Sequence, residues 1–205
     1  MSTSHYFSAD PSGELRPQRI RVALQGREVE LTTAGGVFSP DHLDTGTRVL
    51  LDEVPAPPAT GDLIDLGCGW GPIALALALA SPEATIWAVD VNERALELTR
   101  ANAASLGLTN VNAVTPDGVP DSVRAAAIWS NPPIRIGKPA LHALLLQWLP
   151  RLAAGAEAWL VVQRNLGSDS LQRWLAEALP EDFSTERAAL GKGFRVLRVA
   201  RGADS

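Results

Sequence analysis

Two stretches of this chain carry residues whose types and spacing can do chemistry. The first is Asp65-Leu66-Gly67-Cys68-Gly69-Trp70-Gly71-Pro72, set between a short apolar run at Leu63 and Ile64 and the run Ile73 to Ala80. Glycines at such a turn let backbone N–H groups approach a ligand at a helix N-terminus. Pro72 suits the first helical position, where its missing N–H costs nothing. The second stretch is Asn131-Pro132-Pro133, at the end of another apolar run. The first reads as the holder of a cofactor and the second as the holder of the group to be modified.

The glycine spacing narrows the cofactor. A dinucleotide fingerprint, G-x-G-x-x-G, would place its third glycine at position 72, which is Pro72. A phosphate-binding loop ending in Gly-Lys-Ser/Thr is absent from the sequence. Asp65 would set a carboxylate close to a pyrophosphate, which repels it, but a carboxylate is welcome near a cationic ligand. Asp90, at the end of the next apolar run, can accept two ribose hydroxyl hydrogen bonds. A nucleoside with a positive sulfonium and an amino-acid tail meets these conditions, and S-adenosylmethionine is such a molecule.

The elements that must position these residues alternate between strand and helix. Asp62 to Leu66 reads as a strand and Pro72 to Ala80 as its helix. Thr85 to Val89 is the next strand, followed by Asn92 as helix cap and a helix from Glu93 to Leu106 that Gly107 ends. Ala95, Leu98, Asn102 and Leu106 share one face of that helix. Val111 to Val114 and Ala125 to Trp129 read as further strands, Ala140 to Leu152 as a helix, and Ala158 to Val162 as a fifth strand. Ser168 is expected to cap a helix from Leu171 to Leu179. Phe183 to Leu190 and Phe194 to Ala200 flank Gly191-Lys192-Gly193 as a closing antiparallel hairpin.

Ahead of this series, Ser8 to Arg19 reads as irregular, and Ile20–Leu24 with Val29–Thr32 as a hairpin. Gly35 to Pro40 reads as a loop, and Asp44 or Thr45 as the cap of a short helix. Pro55 to Pro58 reads as a linker. The expected architecture is therefore α/β. It has a mostly parallel seven-stranded sheet with a C-terminal antiparallel hairpin and a small N-terminal β-hairpin extension. Residues 1–58 form the extension and 59–205 the main domain. Ligands in such sheets bind beyond the C-terminal strand ends, where strand order reverses. Both chemical stretches and Asp90 fall at such ends.

The bulk numbers agree with one domain. The chain has 205 residues, is 46% hydrophobic and carries a formal net charge of −5, so no uniformly basic surface advertises nucleic acid. The single cysteine, Cys68, excludes an internal disulfide and a thiolate-rich metal site. Ile73 to Ala80 is too short to span a bilayer, and Met1 to Phe7 lacks the pattern of a signal peptide. No metal and no membrane partner is expected, and the cytoplasm is the expected compartment. His5, His42 and His142 lie apart from both stretches and are not expected to be catalysts.

Asp65-x-Gly67-x-Gly69-x-Gly71 with Asp90 after the next strand resembles class I S-adenosylmethionine-dependent methyltransferases of Rossmann-like fold. The resemblance implies a cofactor site made of Asp65, Gly67, Cys68, Gly69, Gly71, Asp90, Val91, Asp117, Gly118 and Asn131, with Asp65 and the glycine backbone at the methionine part, Asp90 at the ribose and Asp117-Gly118 near the adenine. In members that act on planar amines, Asn-Pro-Pro follows the fourth strand, which implies Asn131, Pro132 and Pro133 as catalytic residues. An exocyclic amine conjugated to a ring is a poor nucleophile. The side-chain carbonyl of Asn131 and the main-chain carbonyl of Pro132 would accept its N–H bonds and aim its lone pair, so the rate comes from positioning and electrostatics. Pro133 stiffens the turn. A covalent route to pyrimidine carbon would need a cysteine outside the cofactor loop, and the sequence has none.

Position 134 is Ile134, where enzymes acting on adenine, cytosine or glutamine amides often carry an aromatic. The run Asn131 to Lys138 instead resembles small-subunit (16S) ribosomal RNA guanine-N2 methyltransferases, as do Gly36-Val37-Phe38-Ser39, Asp44-x-Gly46-x-Arg48-x-Leu50-Leu51, His5 to Ser8, Gln163-Arg164 and Lys192-Gly193-Phe194-Arg195. Larger members carry an additional N-terminal domain, and this sequence reads as the short, single-domain version. The resemblance implies methylation of a guanine N2 in 16S ribosomal RNA, free or in an assembling small subunit. Phe38, Ile134, Arg135, Lys138 and Lys192 are the expected substrate contacts, and Phe38 could close over either base or cofactor. Arginines at 16, 19, 21, 27, 135, 164, 195 and 198, with Lys138 and Lys192, could form a basic rim. Two other readings stand beside it: methylation of a protein glutamine or small amine, and an inactive RNA-binding assembly protein.

Overall fold

The computed structural model describes residues 17–203. Its first element pair is a hairpin, β1 (Pro17–Leu24) with β2 (Arg27–Ala34), joined by Gln25 and Gly26. Both turn residues have positive φ (49° and 71°), the geometry that matches strand twist in a two-residue turn. Pro17 to Arg19 thus belong to a strand rather than to the irregular segment expected for Ser8 to Arg19. His5 to Ser8 and Arg16 lie outside the described residues.

Helix α1 (Thr45–Glu53) is capped by Asp44, whose carboxylate accepts from the Thr47 N–H at 3.0 Å. Then come β3 (Thr60–Leu66), α2 (Pro72–Ala80), β4 (Glu83–Val89), α3 (Glu93–Ser105), β5 (Val111–Val114), β6 (Ala125–Ser130), α4 (Lys138–Trp148), β7 (Leu152–Gln163), α5 (Ser168–Ala178), β8 (Phe183–Gly191) and β9 (Phe194–Arg201). The seven-stranded sheet has the order β5-β4-β3-β6-β7-β9-β8. Strands β3 to β7 are parallel, and β9 pairs antiparallel with both β7 and β8. From β3 the chain builds outward through β4 and β5, then returns to lay β6 on the other side of β3. The reversal point is the β3/β6 boundary, so the loops after these two strands face one crevice.

Two apolar layers cover the sheet. On one face Ile64, Ile128, Leu160 and Leu197 pack with Leu145 and Trp148 of α4 and Leu175 of α5. On the other, Leu63, Trp129, Val161 and Val196 pack with Leu50 of α1, Ile73 and Leu77 of α2, and Leu96 of α3. A third cluster joins the hairpin residues Leu24 and Leu31 to Leu75 and Ala76 of α2 and Leu98 of α3. Helix α2 is buried on nearly all sides, because it lies between the sheet and the hairpin. That position explains a sequence, Ile73 to Ala80, that is apolar all round instead of on one stripe.

Three of the differences from the expected boundaries have a local cause. Helix α4 ends at Trp148, not Leu152. Pro150 has no N–H and its ring clashes with a helical interior, so Leu149–Arg151 tightens into a 3-10 turn and Leu152 opens β7. β7 is therefore much longer than the expected Ala158 to Val162, with a register shift against β6 between Ala125 and Ala127. Ser168 does not cap α5. Gly167 does so at φ +94°, closing the 3-10 turn Arg164–Leu166 and feeding Ser168 directly into the helix.

Candidate active site

The glycine loop after β3 is shaped by main-chain bonds. The N–H groups of Gly67 and Cys68 both donate to Val89 O, at 2.8 and 3.0 Å, which pins the loop to the end of β4. Gly69 N donates to Asp90 Oδ2 at 2.9 Å, and Thr99 Oγ1 donates to Gly69 O at 2.9 Å. Gly71 is the N-cap of α2 at φ +96°, and a Cβ there would lie 2.8 Å from Thr99 Oγ1. A glycine is thus required twice, for its φ and for space. Asn102, the polar member of the apolar α3 face, spends its amide on this region. It brackets Thr32 of β2, donating to its carbonyl at 2.9 Å and accepting from its N–H at 2.8 Å, and donates to Trp70 O at 3.0 Å.

A glycine cap offers α2 no side-chain acceptor, and Asp65 fills the role from β3. Its Oδ2 accepts from Ala74 N at 2.8 Å. The residue is fully buried and Oδ1 has no partner among the described residues. Burial pushes its carboxyl up to about 8; the Ala74 N–H opposes this and the nearby Asp90 charge adds to it. The Asp90 carboxyl is also raised by burial, against the backbone N–H groups of Asn92, Gly69 and Val91. Burial likewise pushes the Cys68 thiol up, with Asp90 and Asp65 adding, so this cysteine stays protonated and unreactive.

The acceptor loop after β6 is a tight turn. Ile134 N donates to Pro132 O at 2.8 Å across Pro133, whose φ of −73° and ψ of 72° are those of an inverse γ-turn. The Pro132 carbonyl, expected to face a target amine, therefore already receives one N–H. Asn131 reaches back to the start of α1, where its Nδ2 donates to Asp44 Oδ2 at 2.8 Å and to Thr47 Oγ1 at 3.1 Å. Ser130 Oγ donates to Leu66 O at 2.6 Å, tying the two loop-bearing strands together.

Between the loops lies a cavity of about 1090 Å³, at the large end of small-molecule sites. Its walls include Phe38, Gly67, Cys68, Gly69, Asp90, Val91, Asn131, Pro132, Pro133, Ile134 and Arg135. Asp65 and Gly71 stand behind the wall rather than on it. Asp117 and Gly118 are exposed in a 3-10 turn from which Pro116 faces the cavity, and Gly118 packs its missing side chain against Val114. Lys138 and Lys192 are exposed and do not line the cavity. Phe38 is 48% exposed. Its loop is tied to the Asp90 side, by Asn92 Nδ2 to Gly36 O at 3.1 Å and Trp70 Nε1 to Ser39 O at 3.2 Å.

Among the wall residues outside the expected site set, Asp44, Thr47, Leu144, Leu166 and Phe194 shape the acceptor side. Asp44 is expected as a helix cap and within the resemblance motif, whereas nothing in the sequence singles out Thr47. Leu144, Leu166 and Phe194 join Ile134 and Ile136 in an apolar wall on the acceptor side. Phe194, next to the hairpin turn, offers an aromatic ring where Ile134 does not. Three arginines expected on a basic rim are engaged elsewhere: Arg195 is buried and paired with Asp169, and Arg198 pairs with Glu157 and Glu186. Arg19 is held by Glu30 at 2.8 Å. Arg135, Lys138, Arg164 and Lys192 remain exposed near the crevice loops and the β8–β9 turn.

The residues present fit S-adenosylmethionine on three observations. Asp65 keeps a buried, unpartnered oxygen behind the glycine loop. A Cβ at Gly67 would project toward Pro133 at 3.7 Å, so the loop leaves its cradle clear of side chain. Asp90 stands at the end of β4 on the same wall.

A parallel sheet reversing between β3 and β6, with this glycine loop and Asn-Pro-Pro on the two sides of the crevice, defines a class I S-adenosylmethionine-dependent methyltransferase. The chain belongs to the methyltransferase small domain family, whose model matches residues 28–198. It is 35% identical over 202 residues to the uncharacterized protein YbxB of Bacillus subtilis (strain 168), covering 97% of this chain and 99% of YbxB. It is 33% identical over 199 residues to ribosomal RNA small subunit methyltransferase C of Pseudomonas aeruginosa (strain LESB58), covering 94% of this chain and 57% of that protein. The chain thus spans little more than half the length of that relative. Among solved structures, a Thermus thermophilus 16S ribosomal RNA N2 methyltransferase (RsmC) in complex with AdoMet and guanosine matches with a TM-score of 0.78 at 21% identity, over 95% of this chain and 52% of that one. No helix among the described residues is long and apolar enough to cross a membrane, and no cluster of three or more His, Cys, Asp or Glu there could hold a metal.

Proposed function

We propose that this chain methylates the exocyclic N2 of a guanine in 16S ribosomal RNA, free or in an assembling small subunit, in the cytoplasm. The observation that carries the reading is the Asn131 amide, held by its nitrogen so that its carbonyl oxygen is left for an amine beside the glycine loop. The names of the 33% identical relative and of the structural neighbour support the substrate class.

When bound, S-adenosylmethionine would supply an electrophilic methyl on a sulfonium sulfur, to be exchanged for an amine proton that water takes up. The chain's own part is orientation. Asn131 Oδ1 and the second lone pair of Pro132 O receive the amine hydrogens, and Pro133 keeps the two acceptors aimed. Phe194, Ile134 and Leu166 would give the base an apolar face, while the exposed Arg135, Lys138, Arg164 and Lys192 would meet phosphates. Gly67, Cys68, Gly69, Asp90 and Val91 would hold the cofactor, with Phe38 on the same cavity wall and Asp65, Gly71, Asp117 and Gly118 supporting from behind or beside it.

The test is mass spectrometry of nucleosides from separately digested 16S and 23S ribosomal RNA of a deletion strain, with and without the gene restored. N2-methylguanosine in 16S RNA should fall on deletion and return on complementation. Unchanged levels would remove this substrate.

A further inference from the structure

We infer that Asp44 is a positioning residue for methyl transfer, acting through the orientation of the Asn131 amide. This rests on the reading of Asn131 as the acceptor of the target amine.

A carboxylate can only accept hydrogen bonds. The Asn131 atom 2.8 Å from Asp44 Oδ2 must therefore be the amide nitrogen, and the assignment needs no appeal to a chosen flip. Thr47 Oγ1, at 3.1 Å, takes the second amide hydrogen. Both hydrogens of Nδ2 are then engaged within the protein, and Oδ1 is the one hydrogen-bonding atom of this side chain left for a ligand. Rotation by half a turn would set Oδ1 against the Asp44 carboxylate, oxygen against oxygen. Asp44 thereby selects the rotamer that can accept from an amine and rejects the one that would present N–H to it. The negative charge also polarises the amide toward Oδ1, which strengthens it as an acceptor.

The neighbouring sequence is shaped around this carboxylate. Gly46 lies in the first turn of α1 without a positive φ, so its backbone does not call for glycine. A Cβ there would lie 2.8 Å from Phe194 Cε1 and 2.9 Å from Asp44 Oδ2. Glycine weakens a helix, and what it gains here is the close approach of the carboxylate and the aromatic ring. Asp44 Oδ2 also accepts the Thr47 N–H as the helix cap, and α1 is anchored on the sheet through Val49 and Leu50. One oxygen thus ties the acceptor loop to a helix that precedes the sheet.

The test separates the cap from the anchor. Asp44→Ser retains a capping oxygen for Thr47 N but is too short to hold Asn131, whereas Asp44→Asn keeps a carbonyl oxygen able to accept both bonds. With small ribosomal subunits from a deletion strain as acceptor, Asp44→Ser should lower kcat about ten- to a hundredfold. The KM and calorimetric Kd for S-adenosylmethionine should stay within about twofold. Asp44→Asn should recover most of the loss, and Asp44→Ser should cost nothing further in an Asn131→Ala background. In protein labelled at asparagine, the Asn131 side-chain N–H signals should exchange slowly, move to ordinary exposed values in Asp44→Ser and return in Asp44→Asn, whatever the acceptor. Unchanged Asn131 signals, or an equal loss of kcat in the Asn131→Ala background, would overturn the inference. Full activity of Asn131→Ala itself would instead overturn the reading of the site.

Discussion

The glycine loop after β3 keeps its shape through bonds to its immediate sheet and helix neighbours, chiefly Val89 O, Asp90 and Thr99. The acceptor loop after β6 takes its decisive side-chain geometry from Asp44 and Thr47, which precede Asn131 by 87 and 84 positions. In the proposed reading the first loop meets the cofactor chiefly through its main chain, whereas the second depends on the Asn131 amide beside the Pro132 carbonyl, and that amide is held from outside the loop. One consequence is that cofactor binding and methyl transfer are separable by substitution, because the two loops share walls but not anchors. Another is that damage to α1 should read out at the acceptor loop before the cofactor loop.

The largest effect that would break this contrast is at Asn131. Asn131→Ala should cut kcat by about a hundredfold or more, the scale of losing one positioned polar contact in a transition state. S-adenosylmethionine affinity by calorimetry should change less than about twofold, and a parallel loss of affinity would show that the loops are not separable. Next in size is Asp90, on the other side of the crevice. Asp90→Ala removes the acceptor of the Gly69 and Asn92 N–H groups and should weaken cofactor binding by roughly ten- to a hundredfold. Saturating cofactor should restore most of kcat, which distinguishes it from the Asn131 variant.

A smaller effect isolates the glycine cap. Gly71→Ala forces a side chain onto a backbone at φ +96° and against Thr99 at 2.8 Å. The left-handed backbone costs roughly 1–2 kcal/mol and the contact adds to it, so the melting temperature should fall by roughly 4–10 °C. A Thr99→Ala background removes the contact and leaves the backbone strain, so the loss should shrink without vanishing. An equal loss in both backgrounds would mean that Thr99 already yields.

The same contrast explains what was legible in the chain. The glycine loop, Asp90 and the Asn92 cap announce themselves locally, since a strand end, three alternate glycines and a proline suffice to describe a turn. A mostly parallel sheet with a closing antiparallel hairpin followed from alternating strands and helices, but the order of its strands did not. Asn131-Pro132-Pro133 was visible as a motif, but the direction of its amide was not, because hydrogen bonds across 87 positions leave no local pattern. Asp44 was visible as a cap, which it also is, and within the resemblance motif, but neither pointed to Asn131. Asp65 was expected on the cofactor wall from its place in the motif, and its distance from the wall depends on Ala74 needing an acceptor that Gly71 does not provide. Arg195 and Arg198 looked like surface cations because their acidic partners Asp169, Glu157 and Glu186 come from other elements. Pro150, which stops α4 early, was the one overlooked signal that sequence alone does carry.

The smallest signal that sharpens the comparison is a slope rather than a loss. Folded Asp65 holds its proton up to about pH 8, whereas an ordinary carboxyl gives it up near 3.8. Between these values unfolding releases a proton, so raising pH favours the unfolded chain, and above about 8 both states are ionised and the slope ends. Asp65 therefore withdraws stability from the cofactor-free protein as pH rises through that window, the reverse of a salt-bridged carboxylate. Asp65→Asn keeps an oxygen for Ala74 N and cannot ionise. Urea midpoints of the two proteins, followed from pH 4.5 to 8.5 (a range of about four units chosen to span the window), should diverge in slope, the wild type losing more. Whatever constant offset the buried amide introduces drops out of the slope. Asp90, raised in the same direction, leaves a residual slope in the variant. Parallel curves would mean that Asp65 is ionised at neutral pH in the cofactor-free protein. Its unpartnered oxygen would then be a charge already in place behind the glycine loop, and cofactor affinity would be flat across the same range instead of rising toward pH 8.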